Sequence, residues 1–211
     1  MIICSLPPIT KPPMRFGETT VDGRDGSVIE ELGYDSYEKT ISVGLRGAFD
    51  INEVISYFSG SGRLELSNEP DFYYKAAILS QIDYSRLLRF RTADIKFKVQ
   101  PYKYSAETPL TLVSSGTVKN YGNTISKPIL TICGSGTVEL KIDGVTYFSY
   151  TFPEDETTVT IDAEKEDAYK DTYLRNRNMT GEFPKLEVGN NQITVSGNVT
   201  SITVENRSRW I

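Results

Sequence analysis

The sequence predicts a mainly β protein built in two halves, with one short helix in the first half. Three observations carry that reading. The chain has 211 residues, against about 100–150 for a common single domain, so two small domains or one large β domain fit. It holds 13 Tyr and 9 Phe beside a single Trp, and aromatics in that proportion favour strands. In the second half, short apolar runs recur about every eight to twelve residues between turn signals, the rhythm of a β-sandwich or jelly roll.

The elements of the first half follow in order. Ser5 to Pro13 carries four prolines and reads as an extended segment. Val21 to Ser27 contains two Asp-Gly pairs, Asp22-Gly23 and Asp25-Gly26, which mark tight turns. Their spacing lacks the alternating oxygen ligands of a calcium loop. Residues 39–46 alternate, with Ile41, Val43 and Leu45 on one face of a half-buried strand. The period then changes: Ile51, Val54, Ile55 and Phe58 follow helical spacing, with Asp50 as N-cap, Glu53 three residues on and Gly60 as the stop. This is the one helix that the pattern makes plain. Arg63–Leu66 reads as a short strand, and Phe72–Ile82 with Arg86–Arg91 as two strands joined in a hairpin at Asp83-Tyr84-Ser85. Ile95–Gln100 alternates, and Pro101 is expected to end that strand because it has no ladder N–H.

The pattern restarts around Ser105 to Thr108, which sets expected domains at 1–105 and 106–211. Strands are expected at Leu110–Val113, Ile129–Cys133, Val138–Ile142, Tyr147–Phe152, Val159–Ile161, Leu186–Val188, Ile193–Val195 and Ile202–Val204. Gly134-Ser135-Gly136, Asp143-Gly144, Pro153-Glu154-Asp155, Gly189-Asn190-Asn191 and Gly197-Asn198 are read as the turns between them. Ala163 to Arg177 is polar and reads as a solvated loop or short surface helix.

Composition removes several kinds of chemistry. There is no histidine, which excludes Ser-His-Asp and Cys-His triads, His-ligated zinc and His proton shuttles. Cys4 and Cys133 form no CxxC spacing and read as two reduced thiols. No run of apolar residues is long enough to span a membrane. Met1 to Cys4 is too short for the apolar core of a signal peptide, so the Asn-x-Ser/Thr triplets at Asn178, Asn198 and Asn206 carry little weight. The formal net charge of −5 argues against a tight nucleic-acid binder.

Carboxylate chemistry survives that filter. The candidate acids are Glu139 with Asp143, or Asp155, Glu156 and Asp162. A glycosidase needs its pair about 5–10 Å apart in a cleft, with one acid buried. Each of these acids lies beside a turn or in a polar stretch, so all are expected to be exposed and ordinary, with no catalytic residue, metal or cofactor among them. No phosphate-binding glycine loop and no GxSxG elbow occurs. Phe72-Tyr73-Tyr74 could stack on a sugar or base, but alternation in a sheet and a subunit contact explain it better. Trp210 is expected to dock the last strand rather than a sugar.

The order of several motifs resembles the distal tail (Dit) proteins of long-tailed siphophages and prophages of Gram-positive bacteria. In the first half these are Met14-Arg15-Phe16-Gly17, Asp22 to Gly26, Gly60 to Leu64 and Ser67 to Ala76. In the second they are Asn120 to Asn123, Lys127 to Ile132, Gly181 to Leu186, Gly189-Asn190-Asn191 and Arg209-Trp210. The resemblance implies a split β-barrel similar to the tail-tube building block, followed by a galectin-like β-sandwich. It implies six copies closing a ring, singly or as two rings back to back, between the tail tube and the tail-tip, tail-lysin or receptor-binding proteins. DNA would pass the central channel without tight binding, and the protein would sit at the distal end of the tail in the virion, away from any membrane. Relatives carry a further strand ahead of the Pro-rich segment; here Met1 stands only a few residues before Leu6, so the barrel is expected to lack one.

In that setting the Phe72–Arg91 stretch is expected at a subunit contact or facing the channel, through Phe72, Tyr73, Tyr74, Arg86, Arg89 and Arg91. The competing reading is a carbohydrate-binding module that uses the second half, through exposed aromatics such as Tyr147 or Trp210.

Overall fold

The structure is a computed structural model describing residues 1–79 and 81–211. It is mainly β, and the chain divides into two compact units: Met1–Lys103 with Ile211, and Tyr104–Trp210.

The first unit contains β1 (Ile2–Ser5), β2 (Met14–Thr20), β3 (Ser27–Tyr34), β4 (Tyr37–Gly44), α1 (Ile51–Tyr57), β5 (Ser61–Leu66), β6 (Glu69–Ala77), α2 (Tyr84–Phe90) and β7 (Thr92–Tyr104). Its main sheet runs β1-β4-β7-β6-β5. Strand β4 buries Lys39, Ile41 and Val43 on one face, and β7 answers with Ala93, Ile95 and Val99. Ile51 and Val54 of α1, Phe58 just after it, and Leu87 of α2 join the same core. α1 starts where its cap was expected, with the Asn52 N–H donating to Asp50 Oδ1 at 2.8 Å.

Four features of this unit differ from the sequence reading. Ile2–Ser5 does form a leading strand, antiparallel to β4, ahead of the Pro-rich segment. Residues 14–34 form a two-stranded hairpin, β2–β3, around the Asp-Gly turns. Tyr84–Phe90 is a second helix rather than a strand, so there is no Phe72–Arg91 hairpin. Asp83 decides that outcome: its carboxylate accepts from the N–H groups of Ser85 and Arg86, the N-cap arrangement that nucleates a helix. The expected strand Phe72–Ile82 is described only as β6, and its residue Ser80 lies outside the described residues. Finally, β7 runs through Pro101. Its ladder to β4 ends at Val99, so the missing N–H of Pro101 costs no bond to β4.

The second unit contains β8 (Leu110–Leu112), β9 (Ser115–Asn120), β10 (Ile129–Ile142), β11 (Val145–Thr151), β12 (Thr158–Asp162), β13 (Asp167–Lys170), β14 (Tyr173–Leu174), β15 (Met179–Gly181), β16 (Gly189–Glu205) and β17 (Arg209–Trp210). Two long strands organise it. The first half of β10 pairs with β12 and with the second half of β16; the second half of β10 pairs with β11 and with the first half of β16. The sheet therefore folds over itself, and Leu130, Ile132, Leu140, Phe148, Val159, Ile161, Ile193 and Ile202 from both layers share one core.

The expected turns at Gly134–Gly136 and Gly197-Asn198 are thus bends inside β10 and β16. Glycine is required there because the two backbones nearly touch. A Cβ on Gly134 would lie 2.5 Å from the Asn198 carbonyl oxygen, and one on Gly197 (φ +100°) 2.4 Å from that of Thr137. The expected strand at Leu186–Val188 is only a bridge between Ser126 and Leu186. Residues 163–177, read as loop or helix, hold β13 and β14 at the sheet edge, with a 3-10 turn at Asn176–Asn178. The buried Ala163 and Ala168 inside this polar stretch are what tie it to the sheet.

Candidate functional site

The six residues singled out in sequence divide between β6 and the helix that follows. On β6, Tyr74 belongs to the core rather than to a surface. Its hydroxyl donates to Glu69 Oε2 at 2.8 Å, and its ring lies under Lys39, whose Nζ is 4.6 Å from the centroid. Phe72 is half-buried with Lys103 Nζ 4.6 Å from its ring. Tyr73 points to the opposite face, where the Arg63 guanidinium stacks 3.7 Å from its centroid. Arg86 and Arg89 are exposed on α2. Arg86 lies 3.5 Å from Asp94, and the Arg89 guanidinium lies 5.2 Å from the Phe90 ring. Arg91 ends the helix in the left-handed conformation and donates to the Gly47 carbonyl at 2.6 Å.

Beneath β6 lies a polar cluster that the sequence reading missed. Glu69 is buried and holds two lysines: Lys103 at 2.8 Å and Lys39 at 3.6 Å. Burial pushes the Glu69 carboxyl up, but the bonds from Lys103 and Tyr74 and the two lysine charges outweigh it, so its pKa lies below the usual value. Lys39 goes the other way: burial lowers its pKa by more than Glu69 restores, and Lys103 adds repulsion. Burial and the bond to Glu69 raise the pKa of the Tyr74 hydroxyl. The cluster also fixes the Pro-rich segment, because Lys39 Nζ donates to the Pro8 carbonyl and Asn68 Nδ2 to that of Pro7. The signal was present in the period: Lys39 falls two residues before Ile41, on the same face of β4.

A second surface missed in sequence is the β2–β3 arm. Nearly every residue along it is exposed, including Phe16 (58%) and Ile29 (64%). The turn signals were read, but the flanking strands were not, since their apolar residues do not alternate. The cause is that both faces of the arm are exposed, so no buried face imposes a period, and Val28 and Ile29 stand side by side. At its base the Asp35 N–H donates to the Pro13 carbonyl, and Tyr34 meets Tyr102 edge-on at 6.3 Å.

The candidate acids do not converge. Asp162, expected to be exposed, is buried in a bidentate pair with Arg207, at 2.7 and 3.1 Å. Burial pushes its carboxyl up, but the Arg207 bonds and charge hold it below its usual range. Glu156 is paired with Arg175. Glu139 lies 3.1 Å from Lys141 on the strand surface, and Asp143 accepts from the Gln192 N–H in the turn after β10. The aromatics of the carbohydrate reading are both half-buried: Tyr147 packs on the core, and Trp210 lies in β17. Among the described residues, no group of acids and thiols is clustered for a metal, and no helix is long and apolar enough to cross a membrane.

What the chain presents is a pair of β units with an exposed arm and an arginine-bearing helix, a mainly β architecture with a Dit-like fold. One solved structure that it matches is the crystal structure of the Dit protein (gp 19.1) of SPP1, described as a paradigm of the hub adsorption apparatus in phages that infect Gram-positive bacteria. The two superpose with a TM-score of 0.69 over 97% of this chain and 92% of that one, at 16% sequence identity. No protein-family model and no curated protein sequence matches the chain.

Proposed function

We propose that this protein is a structural component of a phage tail tip. Copies of it would close a hexameric ring that joins the tail tube to the tail-tip or receptor-binding proteins and leaves a channel for DNA. The observation that carries the reading is the extent of the likeness to SPP1 Dit. It runs through both units and leaves 3% of this chain and 8% of that one uncovered, so no inserted domain distinguishes the two. A ring of identical subunits needs each copy to offer two different surfaces. The first unit supplies two unlike ones, the arm and helix α2 with Arg86 and Arg89, while Phe72 and Tyr73 remain candidates for a contact or the channel wall. An acidic chain suits a channel that DNA crosses without holding, because few phosphate counterions are released.

The test is the mass of the purified chain by native mass spectrometry, with negative-stain images of any assembly. A six-fold ring, or two such rings, is expected. A chain that stays monomeric at high concentration would sink the proposal. The expected absence of tight DNA binding is checked by titrating duplex DNA at physiological salt, where sub-micromolar affinity would contradict the channel reading.

A further inference from the structure

We infer that the β2–β3 arm docks on helix α2 of a second copy of this chain, an inference that rests on the ring reading above. An isolated two-stranded hairpin is marginal in water, so an arm with apolar residues exposed along its length needs a surface to lie on. Directly opposed residues share a face. The register places Phe16 opposite Glu31 and Glu18 opposite Ile29, so one face carries Phe16 and Ile29 as diagonal neighbours with Glu18 and Glu31 beside them. Glu18 also accepts from the Ser27 hydroxyl at 2.6 Å, which holds one carboxylate in place on that face.

Helix α2 offers the complement. Leu87 faces the core, and the exposed flank beside it carries Arg86 and, one turn on, Phe90, with Arg89 against its ring. Phe90 is 62% exposed. An aromatic ring flanked by two guanidinium groups thus matches an apolar pair flanked by two carboxylates. Charge follows the same division. Residues 14–34 carry five acids (Glu18, Asp22, Asp25, Glu30, Glu31) against Arg15 and Arg24, whereas residues 83–91 carry Arg86, Arg89 and Arg91 against Asp83 alone. The Arg86–Asp94 pair is solvent-exposed on both sides and is easily exchanged for a new partner. Because the arm and α2 are different surfaces of one unit, the contact is head-to-tail and can propagate around a ring.

The experiment compares assembly of the full chain with three variants: Glu18→Lys with Glu31→Lys, Arg86→Glu with Arg89→Glu, and all four together. Each reversed pair should raise the concentration for half-assembly about tenfold or more, and the four-fold variant should return to within about threefold of the parent. A photo-crosslinking residue at position 16, in a mixture of isotope-labelled and unlabelled chains, should mark residues 83–91 of another copy. Parent rings with unchanged assembly in both reversed pairs, or crosslinks confined to other segments or to the same copy, would overturn the docking and leave the ring standing. An arm still open to proteolysis within intact rings would overturn it too, and would assign the arm to a different tail protein. A parent that never assembles would bring down both readings. Circular dichroism confirms that each variant is folded.

Discussion

Lys39 and Glu69 face each other at 3.6 Å inside the first unit, their side chains 1% and 3% exposed. Lys39 occupies the place of an apolar residue in the row Lys39-Ile41-Val43 of β4, and Glu69 opens β6. Lys103 takes the other carboxylate oxygen at 2.8 Å, so one anion balances two cations in a space that water barely reaches. Replacing Glu69 by Gln keeps the shape and strands both lysines, a loss of about 3–5 kcal/mol for a buried charge left unpaired. Hydrogen exchange read by peptide should show β4 and β7 losing protection while β10 keeps its own. Protection unchanged in β4 would mean that the cluster contributes nothing net.

The same cluster sets an acid limit. The folded pKa of Glu69 lies below its unfolded value of about 4.3, so its contribution to stability is complete above that pH. As pH falls through the folded value, the unfolded chain has already taken up its proton and the contribution is lost. Asp162, held down by Arg207, behaves alike from about 3.9 downward. Urea midpoints between pH 6 and pH 3 should therefore fall, and the fall in the first unit should be shallower in the Glu69→Gln variant. An identical slope in parent and variant would rule out Glu69 as its source.

Much of the fold was legible because periodicity and turn chemistry are local. The alternation of Ile41 and Val43, the Asp50 cap of α1 and the strands around Leu130 and Leu140 all report themselves in sequence. Most of what was missed depends on partners far along the chain. Gly134 and Gly197 read as turns because nothing local says that two strands pass within touching distance there, whereas Arg86–Arg91 was missed on a local signal, Asp83, read as a hairpin turn instead of a helix cap. Of the candidate residues, the arginines were expected on a strand and lie on α2 and at its end, Tyr74 proved internal, and the arm was seen only as its turn. Glu69 and Lys39 are thirty positions apart, and no single-strand pattern announces an ion pair between them.

The second unit has its own buried pair, and its partners differ in how they can be removed. Arg207 sits in a left-handed backbone conformation (φ 55°) and reaches Asp162 with two guanidinium nitrogens. Arg207→Met keeps the aliphatic stem but leaves the 1%-exposed Asp162 carboxylate without its main counter-charge, at about 3–5 kcal/mol. Lys165 and the N–H groups of Glu164 and Lys165 soften that cost. Adding Asp162→Asn should recover part of the loss, because the uncompensated charge goes with it. If the double variant is no more stable than Arg207→Met in urea melts, the pair acts by shape rather than by charge.

Gly197→Ala tests the bend that makes the second unit close on itself. Its φ of +100° is strained for any L side chain, and the added methyl would meet the Thr137 carbonyl at 2.4 Å. Strain of this kind costs about 1–3 kcal/mol before any clash is counted. The obstacle is backbone on the facing strand, so relief requires β10 and β16 to separate where Ser135 pairs with Asn198. Gly144→Ala is the control: it also has positive φ (+82°), but its Cβ would meet nothing within 4 Å. Gly197→Ala should therefore lower the melting temperature clearly more than Gly144→Ala, and exchange at Gly134 to Thr137 should quicken only in the former. Equal effects would reduce both to backbone strain and remove the close crossing of the two strands as a determinant of the fold.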